Sequence, residues 1–186
     1  VIQTQVNENV GFSFATGLRS LLRNDPDVIL VGEIRDAETA EIAVRAAMTG
    51  HLVISTVHAN TPVGAIKRLT NLNVDPTLLS DCLLGVYSQR LVRVYCSNCR
   101  EFSTTSTCHQ SKLPVAFPGC KSCHYTGFKG RSPVMSHVEI TPSNASLIET
   151  NPAKIAVIDT MYTEAFDLFS KGLTPQFEIT RLKQNF

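Results

Sequence analysis

Glu33 follows four apolar residues, Val28 to Val31, and a single glycine, Gly32. In open α/β sheets, ligands bind beyond the carboxyl ends of the strands. A glycine at that point lets a ligand approach the backbone closely. A carboxylate there orients a water for attack on a γ-phosphate, or holds Mg²⁺ through water. The plain alternative is a loop glutamate paired with Arg35. His58 ends a second stretch, Ser55-Thr56-Val57-His58, behind another apolar run. A histidine there senses a γ-phosphate or hydrogen-bonds a catalytic group; the plain alternative is a histidine satisfied within its own loop. Together, Glu33 and Thr56/His58 put polar groups along one edge of one sheet, the layout of a nucleotide site. No GxxxxGK[ST] occurs in the 186 residues, so they hold no cradle for the β- and γ-phosphates.

Cys96, Cys99, Cys120 and Cys123 form CxxC-x20-CxxC. Two thiolate pairs at that spacing close a tetrahedral Zn²⁺ site with no open position, so the zinc is expected to be structural. Disulfides or free thiols are the alternatives. Cys108, His109 and His124 are nearby spares. Cys82 falls in a predicted helix and is expected in the core.

The elements that must position these groups read as α/β. Val28-Ile29-Leu30-Val31 and Leu52-Val53-Ile54 suit strands buried on both faces of a parallel sheet. Leu18 to Arg23 reads as a helix end. Asp36 caps a helix from Ala37, with Ala40, Ala43, Val44 and Ala47 on one stripe and Gly50 as its stop. Thr61-Pro62 and Asp75-Pro76 each give a cap followed by proline at the first helical position, and the second opens a helix towards Val92. Strand–helix–strand–helix order with short links predicts crossover helices on a parallel sheet. Three regions are expected: 1–92 as an α/β core, 93–131 as a cysteine-rich metal module, and 132–186 as a mainly helical end. Within the last, Ala153 to Ser170 reads as helix.

Composition narrows the class. At 43% hydrophobic and 18% charged, the chain is globular rather than disordered. A net charge of +1 gives no global pull towards nucleic acid or membrane. Residues 90–131 are different, with seven basic residues against Glu101 alone. That local charge suits nucleic acid, an acidic partner, lipid or a solvated face. No apolar run approaches the ~20 residues of a membrane span. The opening VIQTQVNENV has no signal-peptide pattern and reads as the middle of a fold. A part of a longer protein, in a reducing cytoplasm, is expected.

Several separate runs carry a family resemblance. Residues 17–36, GLRSLLRNDPDVILVGEIRD, resemble the Walker B region of type II secretion and type IV pilus assembly ATPases. Residues 49–61, TGHLVISTVHANT, resemble their His box. Residues 88–99 and 119–131 resemble their zinc-bearing module, and Gln3-Thr4-Gln5-Val6-Asn7 resembles the stretch after their Asp box. The match is close over 1–131 and weak from 141 onward, and Ser136 stands roughly where the family usually has a glutamate.

The resemblance implies a RecA-like P-loop ATPase core, then a zinc module, then a small helical region. It implies a homo-hexamer that binds ATP and Mg²⁺ and is peripheral at the cytoplasmic face of the inner membrane. It also implies a membrane platform protein and the machine's cytoplasmic domains as partners, with no specific nucleic acid. Pilin or pseudopilin assembly would be the work done. Residue by residue, Glu33 is the catalytic glutamate, Gly32, Glu33 and His58 line the nucleotide site, and the four cysteines bind Zn²⁺. Retraction ATPases share both boxes but lack the tetracysteine insert, which points to assembly. The competing expectation is a non-catalytic zinc module contacting nucleic acid or a protein.

Overall fold

The computed structural model describes residues 1–102, 114–116 and 119–183; Cys108 and His109 lie outside them. The chain divides into two compact units, residues 1–86 with 138–157 and residues 87–137 with 158–186.

In the first unit, α1 (Phe14–Leu22) leads to β1 (Val28–Val31), α2 (Ala37–Met48), β2 (Leu52–Ser55), α3 (Pro62–Asn71) and α4 (Pro76–Cys82). Each helix starts where a short polar side chain accepts from a backbone N–H left free in the first turn. Thr39 N donates to Asp36 Oδ1 at 2.8 Å, Gly64 N to Thr61 Oγ1 at 3.0 Å and Thr77 N to Asp75 Oδ1 at 2.9 Å. These are the caps expected from the sequence.

β1 and β2 pair in parallel, Val28 opposite Leu52 through Val31 opposite Ser55. Only one face of this ribbon is covered. Ile29 and Val31 are buried, while Val28 is 55% and Leu30 72% exposed, and Leu52 and Ile54 are exposed too. The expectation of strands buried on both faces is thereby corrected. The continuous apolar run is the pattern of a strand covered on both faces; among these residues α1 and α2 supply one covering layer. The core joins Leu18, Ile29, Val31, Ile66 and Leu79 to Val138, Ile148 and Ile155 from the returning chain and from α5 (Ser146–Thr150). Cys82 is half-buried and packs against this core rather than within it.

The helix expected from Asp75 towards Val92 ends at Cys82, and β3 (Gly85–Tyr95) replaces its second half. The run GVYSQRLVRVY is rich in β-branched and aromatic residues, which favour strands. Its partner is β6 (Phe128–Glu139), a strand too remote in sequence for a local reading to pair it. A Cβ on Gly85 would lie 2.9 Å from the Val138 carbonyl oxygen, so the strand can begin this close only with glycine.

The second unit holds most of β3 and β6, the short pair β4 (Glu101–Phe102) and β5 (Pro114–Ala116), β7 (Ile158–Asp159), α6 (Met161–Ser170) and α7 (Gln176–Lys183). The main sheet runs β3–β6–β7, with β7 antiparallel to β6. The helix expected from Ala153 begins instead at Met161, after a 3₁₀ turn and β7. Val92 and Val134 from the sheet pack on Met161, Ala165 and Leu182 from the two helices.

Candidate functional site

The first candidate site lies just past the ends of β1 and β2. The ladder continues beyond Val31: Ile34 N donates to Thr56 O at 2.9 Å, and Thr56 Oγ1 donates to Gly32 O at 2.8 Å. The segment carrying Glu33 is thus tied to the start of the segment carrying His58. A Cβ at Gly32 would meet only the Phe14 ring, at 3.6 Å, so packing leaves that backbone open.

Glu33 Oε2 lies 3.3 Å from His58 Nε2, and Glu33 Oε1 accepts from Arg35 Nη2 at 2.5 Å. Both readings of Glu33 therefore have a physical basis, since it pairs with its neighbour Arg35 and also meets His58. The Arg35 hydrogen bond holds the carboxyl below the usual glutamate range, aided by the charges of Arg35 and His58 and opposed by partial desolvation. Glu33 is 21% exposed as a side chain and His58 88%, so the imidazole is offered to solvent while the carboxylate is sheltered. An ionised carboxylate beside an open imidazole can accept a proton or orient a water.

The second candidate site is the cysteine cluster. The four Sγ atoms lie within 4.8 Å of one another. The separations Cys96–Cys120, Cys99–Cys123 and Cys120–Cys123 are 3.9, 3.8 and 3.9 Å. A tetrahedral ZnS₄ centre with bonds of about 2.3 Å spaces its sulfurs about 3.8 Å apart. Three of the six sulfur pairs already stand at that spacing and all lie within 4.8 Å, so the donor set fits a structural zinc. Backbone N–H groups of Cys120 (3.1 Å) and Gly127 bring the Cys123 thiol down to about 6. Burial and hydrogen bonding to Cys123 push Cys99 up to about 12. Four sulfurs this close cannot all ionise unless a cation balances them.

Local geometry builds both turns. Arg100 N and Cys99 N donate back to Cys96 O, at 3.1 and 3.4 Å, and Tyr125 N donates to Cys120 O at 2.9 Å. Gly119, at φ +84°, has no room for a Cβ, which would fall 2.6 Å from the Tyr125 carbonyl group. His124 is exposed at φ 51° and belongs to the turn rather than to the sulfur cluster.

The anchor of the first turn lies outside the cysteine motifs. Thr174 Oγ1 donates to Arg93 O at 2.7 Å, and Tyr95 N donates to Leu173 O at 2.8 Å. Fully buried Glu178 on α7 accepts from Arg93 N (3.1 Å), Arg93 Nε (2.7 Å) and Arg181 (3.0 Å). Glutamate is almost never fully buried unpaired, and the two arginines meet that requirement here.

A family model described as Type II/IV secretion system protein matches residues 1–181. The match therefore runs past residue 141, into the part where the resemblance read from sequence is weak. Type II secretion system protein E of Klebsiella pneumoniae is 44% identical over 177 residues, 91% of this chain and 36% of that protein. Type II secretion system ATPase E of Vibrio cholerae is 40% identical over 197 residues, 97% of this chain and 39% of that one. The chain thus spans roughly a third to two fifths of the length of the curated relatives it matches. The crystal structure of the pilus retraction motor PilT with bound ADP aligns with TM-score 0.62 at 29% identity, covering 91% of this chain and 43% of that one. The Legionella pneumophila ATPase DotB aligns at 0.62 and 19% identity, over 94% and 43%, a likeness of fold alone. With the motifs in order and the match running over nearly its whole length, this chain belongs to the Type II/IV secretion system protein family.

Proposed function

We propose that these residues are the C-terminal part of an ATP-hydrolysing motor subunit that drives pseudopilin or pilin assembly in type II secretion or type IV pilus biogenesis. The observation that carries the reading is the Glu33–His58 pair, 3.3 Å apart, beyond the carboxyl ends of two adjacent parallel strands. Its company supports it: one relative is named an ATPase and a structural neighbour holds ADP.

Glu33, kept ionised by Arg35, orients the attacking water and takes up its proton as attack proceeds. His58 hydrogen-bonds the carboxylate and fixes which oxygen faces the water. Mg²⁺, when bound with ATP, neutralises charge on the β- and γ-phosphates. Gly32 leaves the backbone bare for close approach. The phosphate-binding loop is not among these residues, so hydrolysis is assigned to the full-length protein. Cys96, Cys99, Cys120 and Cys123 hold Zn²⁺ as a structural staple, and the tetracysteine set favours assembly over retraction. We place the working protein in a homo-hexamer at the cytoplasmic face of the inner membrane, held by a platform protein. No helix among the described residues is long and apolar enough to cross a membrane, consistent with peripheral attachment.

The test is ATP hydrolysis by the full-length protein beside its Glu33→Gln variant. The expected result is a fall of at least about a hundredfold in turnover with nucleotide still bound, because the lost group acts on the chemical step. Equal rates would remove Glu33 from the mechanism. No turnover in either would favour a non-catalytic zinc module.

A further inference from the structure

We infer that Thr56 is a positioning residue of the hydrolytic site, setting the distance between Glu33 and His58 by clasping the peptide segment that carries Glu33. The inference rests on the reading of Glu33 as the water-orienting carboxylate.

Thr56 grips that segment on both sides. Its carbonyl oxygen accepts from Ile34 N at 2.9 Å, one residue after Glu33. Its hydroxyl donates to Gly32 O at 2.8 Å, one residue before it. The first bond is main-chain and available to any residue. The second needs a donor on a short side chain, which the threonine hydroxyl supplies and a serine would keep. His58 lies two residues on, and its Nε2 reaches Glu33 Oε2. His58 is almost fully exposed, and Arg35, the other partner of Glu33, is itself on the surface. Beyond the ends of β1 and β2, this clasp ties the two segments in register.

The same exposure separates positioning from folding. Gly32 O and Thr56 lie in reach of solvent, so water replaces the lost hydroxyl at little cost in stability. Water does not, however, restore the register of the two segments. Misplacement by a fraction of an ångström at a reacting centre costs rate far more than it costs binding.

The experiment compares Thr56→Val and Thr56→Ser in the full-length protein, with Glu33→Gln in parallel. Valine keeps the shape and removes the hydroxyl; serine keeps the hydroxyl. For Thr56→Val we expect kcat to fall about tenfold or more, with nucleotide Kd and Tm close to wild type. Thr56→Ser should recover most of kcat. The inference is overturned if Thr56→Val keeps wild-type kcat while Glu33→Gln is inactive. It is equally overturned if Thr56→Val lowers Tm and weakens nucleotide binding and serine does not restore the rate. Full activity in Glu33→Gln is a separate failure, that of the motor reading itself, and leaves Thr56 with no catalytic carboxylate to place.

Discussion

Glu33 has two partners that pull in the same direction. Arg35 and His58 both favour the ionised carboxylate, and partial desolvation opposes them less strongly. A depressed pKa means that the charge is present at neutral pH and is lost only as pH falls through the lowered value. Turnover by the full-length protein should therefore hold to more acidic pH than an ordinary glutamate near 4.3 would allow, within the range where the protein stays folded. Arg35→Gln removes the largest favourable contribution, so the acid limb of the pH–kcat profile should move upward. An unmoved limb would show that Arg35 does not govern the Glu33 charge. His58 is offered to solvent, so replacing it with alanine should leave stability within about 0.5 kcal/mol while lowering kcat.

At the scale of elements, the cysteine turns rest on an anchor and, on the proposed zinc assignment, on metal. If the four sulfurs hold zinc as proposed, much of the local folding free energy is metal-binding free energy. Cys99→Ser should lower zinc content from one per chain and raise hydrogen exchange around residues 95–100 and 119–128. Unchanged metal content and melting would defeat the zinc assignment. Gly119→Ala forces a Cβ into the Tyr125 backbone at a left-handed φ, so it should weaken metal retention although it removes no ligand. Glu178→Ala leaves Arg93 N–H without its acceptor beneath α7 and removes the carboxylate that both arginines share. The arginines are partly exposed, which screens the charge loss. A local cost of about 2–3 kcal/mol is expected, read from exchange of the β3 amides.

For the whole molecule, the two units carry different tasks. The first places Glu33 and His58; the second builds the cysteine cluster on β3, β6 and α7. The 186-residue chain has a carboxylate that can orient water but no loop to cradle the phosphates. The purified chain should therefore show no ATP turnover and weak nucleotide affinity, and measurable steady-state hydrolysis by it would contradict this reading.

The candidate chemistry was legible in the sequence because it is local. A carboxylate or histidine behind a four-residue apolar run, a cap three residues ahead of its helix and two CxxC turns are all specified within a few positions. β1, β2, α2 and the caps at Asp36, Thr61 and Asp75 follow from such signals. The rest depends on contacts remote in sequence. β3 is a strand because β6 pairs with it across some forty residues, whereas the local pattern after Pro76 also suited a helix. β1 shows one covered face because burial is set by what packs against a strand, which its own residues cannot state. Glu178 became a buried anchor only once α7 was laid against Arg93. Residue chemistry and nearest-neighbour geometry were thus fixed by the sequence alone. Pairing, coverage and the clasp of Thr56 on Gly32 were decided by the tertiary structure, since each needs two distant segments brought to within a hydrogen bond's length.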